Sequence, residues 1–166
     1  MPIPKRITDE PQPIEVIINS FKDYALGDIH HNRSKPIAAF ILCMCFIDQV
    51  ASFRYAIKRD KNKKPEDFIS EYMKDYEELE LYKNTRHSLA HNYSSGQKFK
   101  ITNEIYGDRP FFKEGDVFTI NTNFFIDRLE QAFKEVEMDF RIVDSDANKN
   151  AVEASMHWPV IVNKGK

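Results

Sequence analysis

Ten residues from Arg86 to Ser95, RHSLAHNYSS, hold the densest set of reactive side chains in the 166-residue chain. Arg86 offers a permanent cation whose planar fork of donors suits a phosphate, and His91 offers an imidazole that titrates near neutrality. Together they suit phosphoryl chemistry on RNA. There the nucleophile is the substrate's own 2′-hydroxyl. Such a site needs one group to take that proton and another to hold charge on the phosphate, with no obligatory metal. His87 adds a donor and Tyr93 a phenol to the same stretch. His87 and His91 also stand at i, i+4, a spacing found in helical zinc sites, but no acid lies between them and no third ligand is evident. Neither a metal nor another cofactor is expected.

Geometry sets a condition on this site. Five steps along a helix turn through about 500°, so Arg86 and His91 on one regular helix leave its axis about 140° apart. Both reach one cleft if the helix loosens after Ala90 or if two copies meet across a twofold axis. A homodimer is therefore expected.

The elements that position this stretch read as helices. Ile14, Ile17, Ile18, Phe21 and Ala25 recur at helical spacing, and Gly27 offers a stop, which leaves His30 and His31 in a polar turn. Ser34 can cap and Pro36 can start a second helix running to about Ile57, apolar all round in its first half and so destined for the centre of the assembly or a subunit interface. Asp48 interrupts it. A buried carboxylate wants a cation or donors, and Asp48 either orients Arg86 or His91 or sits at the helix periphery beside Arg54. Residues 58–64, KRDKNKK, form a charged connection. Its Lys58, Arg59, Lys61, Lys63 and Lys64 either steer an RNA backbone or simply solvate a loop.

Pro65 opens a third helix with a stripe of Phe68, Ile69, Tyr72, Met73 and Tyr76, and a further helical stretch is expected from Glu77 to about Asn92. Residues 97–120 change character: KFKIT and VFTI look extended, around a turn at Gly107 to Pro110. Asn121 or Thr122 can cap a long last helix through Phe140, followed by a shorter one from about Asp144 to Ala154 and a tail containing Trp158, expected to pack on the helices or on a partner subunit. The fold class expected is mainly α, an antiparallel bundle of four or five helices with a small extended or hairpin insert. Residues 1–13, rich in proline, read as a flexible lead-in to a single domain over 14–166.

Composition narrows the functions available. The net charge is −2, from 24 Lys and Arg against 26 Asp and Glu, so any nucleic-acid contact is local and not spread over a cationic surface. Cys43 and Cys45 lie two apart in an apolar run, too close to staple anything, and fit a reducing cytosol. The longest unbroken apolar stretch, Ile37 to Ile47, is shorter than the roughly 18 to 20 residues a bilayer requires. A cytoplasmic protein without membrane contact is expected.

RHSLAHNY resembles the signature of the HEPN family of helical-bundle proteins, an Arg, usually followed by a polar residue, with a His after a spacer of four to six residues; here four stand between Arg86 and His91. Arg86, His87 and His91 match it, and the order of elements over about 14–141 is similar as well. The resemblance implies a dimer with its two motifs facing one another and, in many members, metal-independent endoribonuclease activity in toxin–antitoxin or other defence systems. Other members are binding or scaffolding modules. Tyr93 extends the match to the RxxxxHxY form of toxins paired with nucleotidyltransferase antitoxins, which modify that tyrosine; a nucleotide on Tyr93 would then block the cleft. The insert at about 97–120 and the tail after 142 are longer than such a toxin needs. The rival reading is a catalytically inactive module that binds a nucleotide or a protein.

Overall fold

The computed structural model describes residues 10–85, 98–104 and 109–158, and these are mostly helical with one small three-stranded sheet. The chain enters through α1 (Ile14–Ser20), a π-helical stretch (Phe21–Leu26) and α2 (Gly27–His31), which follow one another without a break. Gly27 therefore does not stop the first helix. Its backbone is helical, φ −57° and ψ −46°, and Ile29, two residues on, is buried. Burial on both sides offsets the roughly 1 kcal/mol that glycine costs inside a helix. His30 and His31 accordingly close a helix instead of lying in a loop, and His30 bonds to Glu130.

α3 (Pro36–Arg54) begins with proline at its first turn and buries Phe40, Cys43, Phe46, Ile47, Val50 and Phe53. Lys35, not Ser34, occupies its cap position, and the helix ends at Arg54, three residues before Ile57. At 19 residues and a mean hydropathy of 1.8 it is long and apolar enough to cross a bilayer, which an 11-residue apolar run did not suggest; half of it is buried within the protein. Its neighbours explain that apolar surface: α3 packs on α4 (Lys64–Tyr72), α5 (Thr122–Arg141) and α6 (Asp146–His157). Where these meet, Phe21 sets its ring edge-on to Phe46, Phe53 and Phe133, at 5.9, 5.3 and 5.7 Å.

After α4 the helix does not simply continue. Lys74–Leu79 form a 3₁₀ segment, Glu80 turns left-handed at φ 44°, and residues 81–85 are helical again. The insert holds three strands: β1 (Phe99–Thr102), β2 (Phe111–Glu114) and β3 (Val117–Asn121), in the order β1-β3-β2. β2 and β3 make a hairpin that turns through Gly115, at φ +61°. β1 pairs with β3 in parallel, with Phe99 opposite Phe118 and Thr102 opposite Asn121.

Asn121 joins this sheet to α5. Its Oδ1 accepts from the backbone N–H groups of Asn123 and Phe124, at 2.9 and 3.3 Å, and its Nδ2 donates to the Glu104 carbonyl at 2.7 Å. Because the residue is 1% exposed, losing these bonds leaves buried groups unmatched. Asn121→Ala is expected to cost about 2 kcal/mol in chemical unfolding. Asn121→Asp, which keeps the acceptor and loses the donor, should fall between the two.

A carboxylate ties the entry helix to α5. Lys22 Nζ and Arg141 Nη1 reach Glu137 Oε1 at 2.6 and 2.5 Å, and Arg141 Nε also bonds Glu15 at 2.8 Å. Burial alone would raise the Glu137 pKa, but the hydrogen bonds from Lys22 and Arg141 prevail and hold it below its ordinary value. A carboxylate lowered on folding stabilises fully above its unfolded value of about 4.3 and loses that contribution as pH falls through its folded value. Glu137→Gln should cost about 1 to 3 kcal/mol at neutral pH. The gap from wild type, followed by urea unfolding, should close as pH drops below about 4.

Candidate functional site

Arg86, His87, His91 and Tyr93 lie outside the described residues, but both flanks of the segment that carries them are held. On the leading side, Leu81, Tyr82 and Thr85 are buried. The Tyr82 hydroxyl donates to the Met44 carbonyl in the middle of α3, and Thr85 Oγ1 donates to the Leu81 carbonyl at 2.6 Å. On the trailing side Phe99 is in the core, and β1 packs against α3. The flanks also touch, with Lys98 Nζ donating to Asn84 Oδ1 at 3.4 Å. The described residues on either side, Asn84 and Lys98, thus stand together, with Tyr82 before them and β1 after them both against α3. His91 is six positions beyond Thr85 in the sequence, a reach of at most about 20 to 22 Å even fully extended.

Asp48 stands on α3 four residues after Met44, so it shares the flank that receives Tyr82. It is half-buried. Its backbone carbonyl accepts from Ser52 Oγ at 2.9 Å, and the carboxylate, second to burial, raises the nearby Cys45 thiol pKa. Asp48 makes no salt bridge among the described residues. Arg54, its other possible partner, is taken elsewhere. The guanidinium bonds Tyr72 at 2.5 Å and Glu71 at 2.8 Å, with Asp139 at 3.7 Å. Cys43, on the opposite side of α3 from exposed Cys45, has its thiol pKa pushed well up by burial.

Of the charged connection, Lys58, Arg59, Lys61 and Lys63 are exposed as expected. Arg59 nevertheless spends its charge on Asp67 at 2.5 Å and lies 5.6 Å from the Tyr55 ring centre. Lys64 departs from the solvated run. It is 2% exposed, with its ammonium 5.8 Å from the centre of the Trp158 ring. Burial, then the nearby Arg59 charge, lowers its pKa. Trp158 in turn leans on Phe53 at 6.3 Å.

Two features had no signal in the linear pattern. One is a groove of about 1000 Å³ along the sheet, lined by Phe99, Lys100, Arg109, Phe112 and Lys113 and reaching Ile37 at the start of α3. The other is a pair of buried polar atoms without a hydrogen-bond partner, Tyr76 Oη and Arg128 Nη1, beside a smaller cavity of about 290 Å³. Both depend on strand register and helix packing that join distant residues. Among the described residues no three His, Cys, Asp or Glu side chains gather to hold a metal ion.

No family model, curated protein or solved structure matches the chain.

Proposed function

We propose that this protein is a dimeric, metal-independent endoribonuclease of the HEPN type, its helices forming an antiparallel bundle and its two RHSLAHNY segments facing one another. The observation that carries the reading is the sequence Arg86-His87 with His91 and Tyr93, set between flanks that both anchor beside α3. His91 takes the proton from the RNA 2′-hydroxyl. The 2′-oxygen then bonds to phosphorus, the bond to the 5′-oxygen breaks, and that oxygen leaves as a hydroxyl once protonated. The product is a 2′,3′-cyclic phosphate. Arg86 holds the charge that builds on the phosphate oxygens, His87 adds a donor, and Asp48, on the flank of α3 that meets the leading anchor, orients the site. A toxin of the reducing cytosol, restrained by a cognate antitoxin such as a nucleotidyltransferase acting on Tyr93, fits this chemistry. The test is RNA cleavage in EDTA by wild type, Arg86→Ala and His91→Ala, with product ends analysed. Cleavage that survives both substitutions overturns the reading.

A second reading has its own support. Arg33, Arg54, Arg59, Arg128 and Arg141 are all paired with acids, while Met138, Ile142 and Val143 are exposed near the end of α5. Such a surface favours a catalytically silent module that binds another protein. Absence of cleavage in a folded dimer, with a partner held equally well by Arg86→Ala, would establish it.

A further inference from the structure

We propose that the groove along the three-stranded insert holds the sugar-phosphate backbone of single-stranded RNA, with Lys100, Arg109 and Lys113 on its phosphates. The choice of RNA among polyanions rests on the ribonuclease reading above; the choice of this surface rests on its charge and shape.

Strand register builds the surface. Lys100 on β1, Thr119 on β3 and Phe112 on β2 stand in one row across the sheet, on the face opposite buried Ile120. At about 4.8 Å between strands, that row spans roughly 10 Å. Arg109 and Lys113 also line the groove, Lys113 from the other face of β2, where it stands opposite Phe118, and Glu114 is the one acid among the described lining residues. The protein as a whole carries a net charge of −2, so three cations against one acid along the groove are not inherited from composition. Arg109 is also the one arginine among the described residues without an acidic partner. Lys100 makes no salt bridge there either, and Lys113 lies 5.1 Å from the Phe118 ring centre. Cations left unneutralised along a groove draw a polyanion. At about 1000 Å³, the groove sits at the top of the range for a single small ligand, which favours a polymer.

Position links the groove to the reactive segment. β1 begins at Phe99, six residues after Tyr93, so a strand lying in the groove starts within about 20 to 22 Å of Tyr93. The charged connection at 58–64 follows the opposite end of α3. Ile37, which lines the groove, and Arg54 are separated by about 26 Å of helix.

The probe is a fluorescein-labelled oligouridylate, followed by anisotropy across a salt series. Lys100→Glu/Arg109→Glu/Lys113→Glu should bind at least about tenfold more weakly, with the logarithmic salt slope reduced by about 2. Lys74→Glu/Lys134→Glu/Lys149→Glu, which makes the same charge change at exposed positions elsewhere, should bind like wild type. Arg109→Glu alone, a milder change, should show a smaller loss in the same direction, and circular dichroism checks that each variant folds. Wild-type affinity in the groove variants overturns the proposal, as does no binding by wild type or tighter binding of a labelled polyglutamate. Weakened binding by the groove variants in a protein that never cleaves RNA upholds the groove and removes the ribonuclease. Cleavage that depends on His91, with groove variants binding normally, does the reverse.

Discussion

Replacing His91 with alanine is expected to slow RNA cleavage by about two to four orders of magnitude, the usual contribution of a positioned acid or base. Arg86→Ala should cost about 10²- to 10³-fold, the scale of losing a donor that meets developing charge. The double variant should be scarcely worse than His91→Ala alone, because two groups serving one transition state do not contribute independently. An ordinary imidazole titrates near pH 6.5. The wild-type rate should therefore climb with pH through that region as the base loses its proton, and the climb should be missing in whatever activity His91→Ala retains. A structural role for His91 would lower the rate without removing the pH limb.

The largest effect on stability is expected at Phe21. Its ring meets three others edge-on, and a fourth contact, between Phe46 and Phe133 at 5.3 Å, closes the group. Phe21 is 2% exposed, and its partners come from α3 and α5, so truncation opens a cavity where three elements join. Phe21→Ala should cost about 3 to 5 kcal/mol. For a chain of this size each kcal/mol lowers the midpoint by about 2 to 4 °C, so thermal unfolding should shift down by roughly 6 to 20 °C. Trp158→Ala, at a residue 40% exposed, should shift it far less. A loss under about 1 kcal/mol at Phe21 would mean that the neighbouring rings close over the gap.

Much of this molecule could be read from local pattern. Pro36, the apolar run behind it, and Asn121 ahead of the Phe124-to-Phe140 stripe state their helices in the residues themselves, because proline geometry, caps and period 3.6 are local physics. Other elements are set from a distance. Gly27 carries a stop signal that Ile17, Ile18 and Ile29 override by being buried on either side of it. Glu80 turns left-handed without the glycine or asparagine that usually marks such a turn. The β2 sequence, FFKE, has little period of its own and owes its strand to pairing with β3. Lys64 looked solvated because its neighbours are charged, whereas its burial comes from Trp158, far along the chain. The candidate chemistry lies at the local extreme, legible as a string of residue types, while its surroundings became visible only through Met44, Asn84 and Lys98.

The sheet order β1-β3-β2 leaves β1 and β2 as outer strands among the described residues. An outer strand with free peptide groups is an invitation to another chain, and natural proteins discourage it with charge, lysine above all. Here Lys100 stands on one rim and Lys113 with Glu114 on the other. These lysines therefore also act as spacers between molecules: neutralising them by acetylation or alanine should promote stacking of sheets edge to edge, whereas reversing their sign keeps neighbouring copies apart.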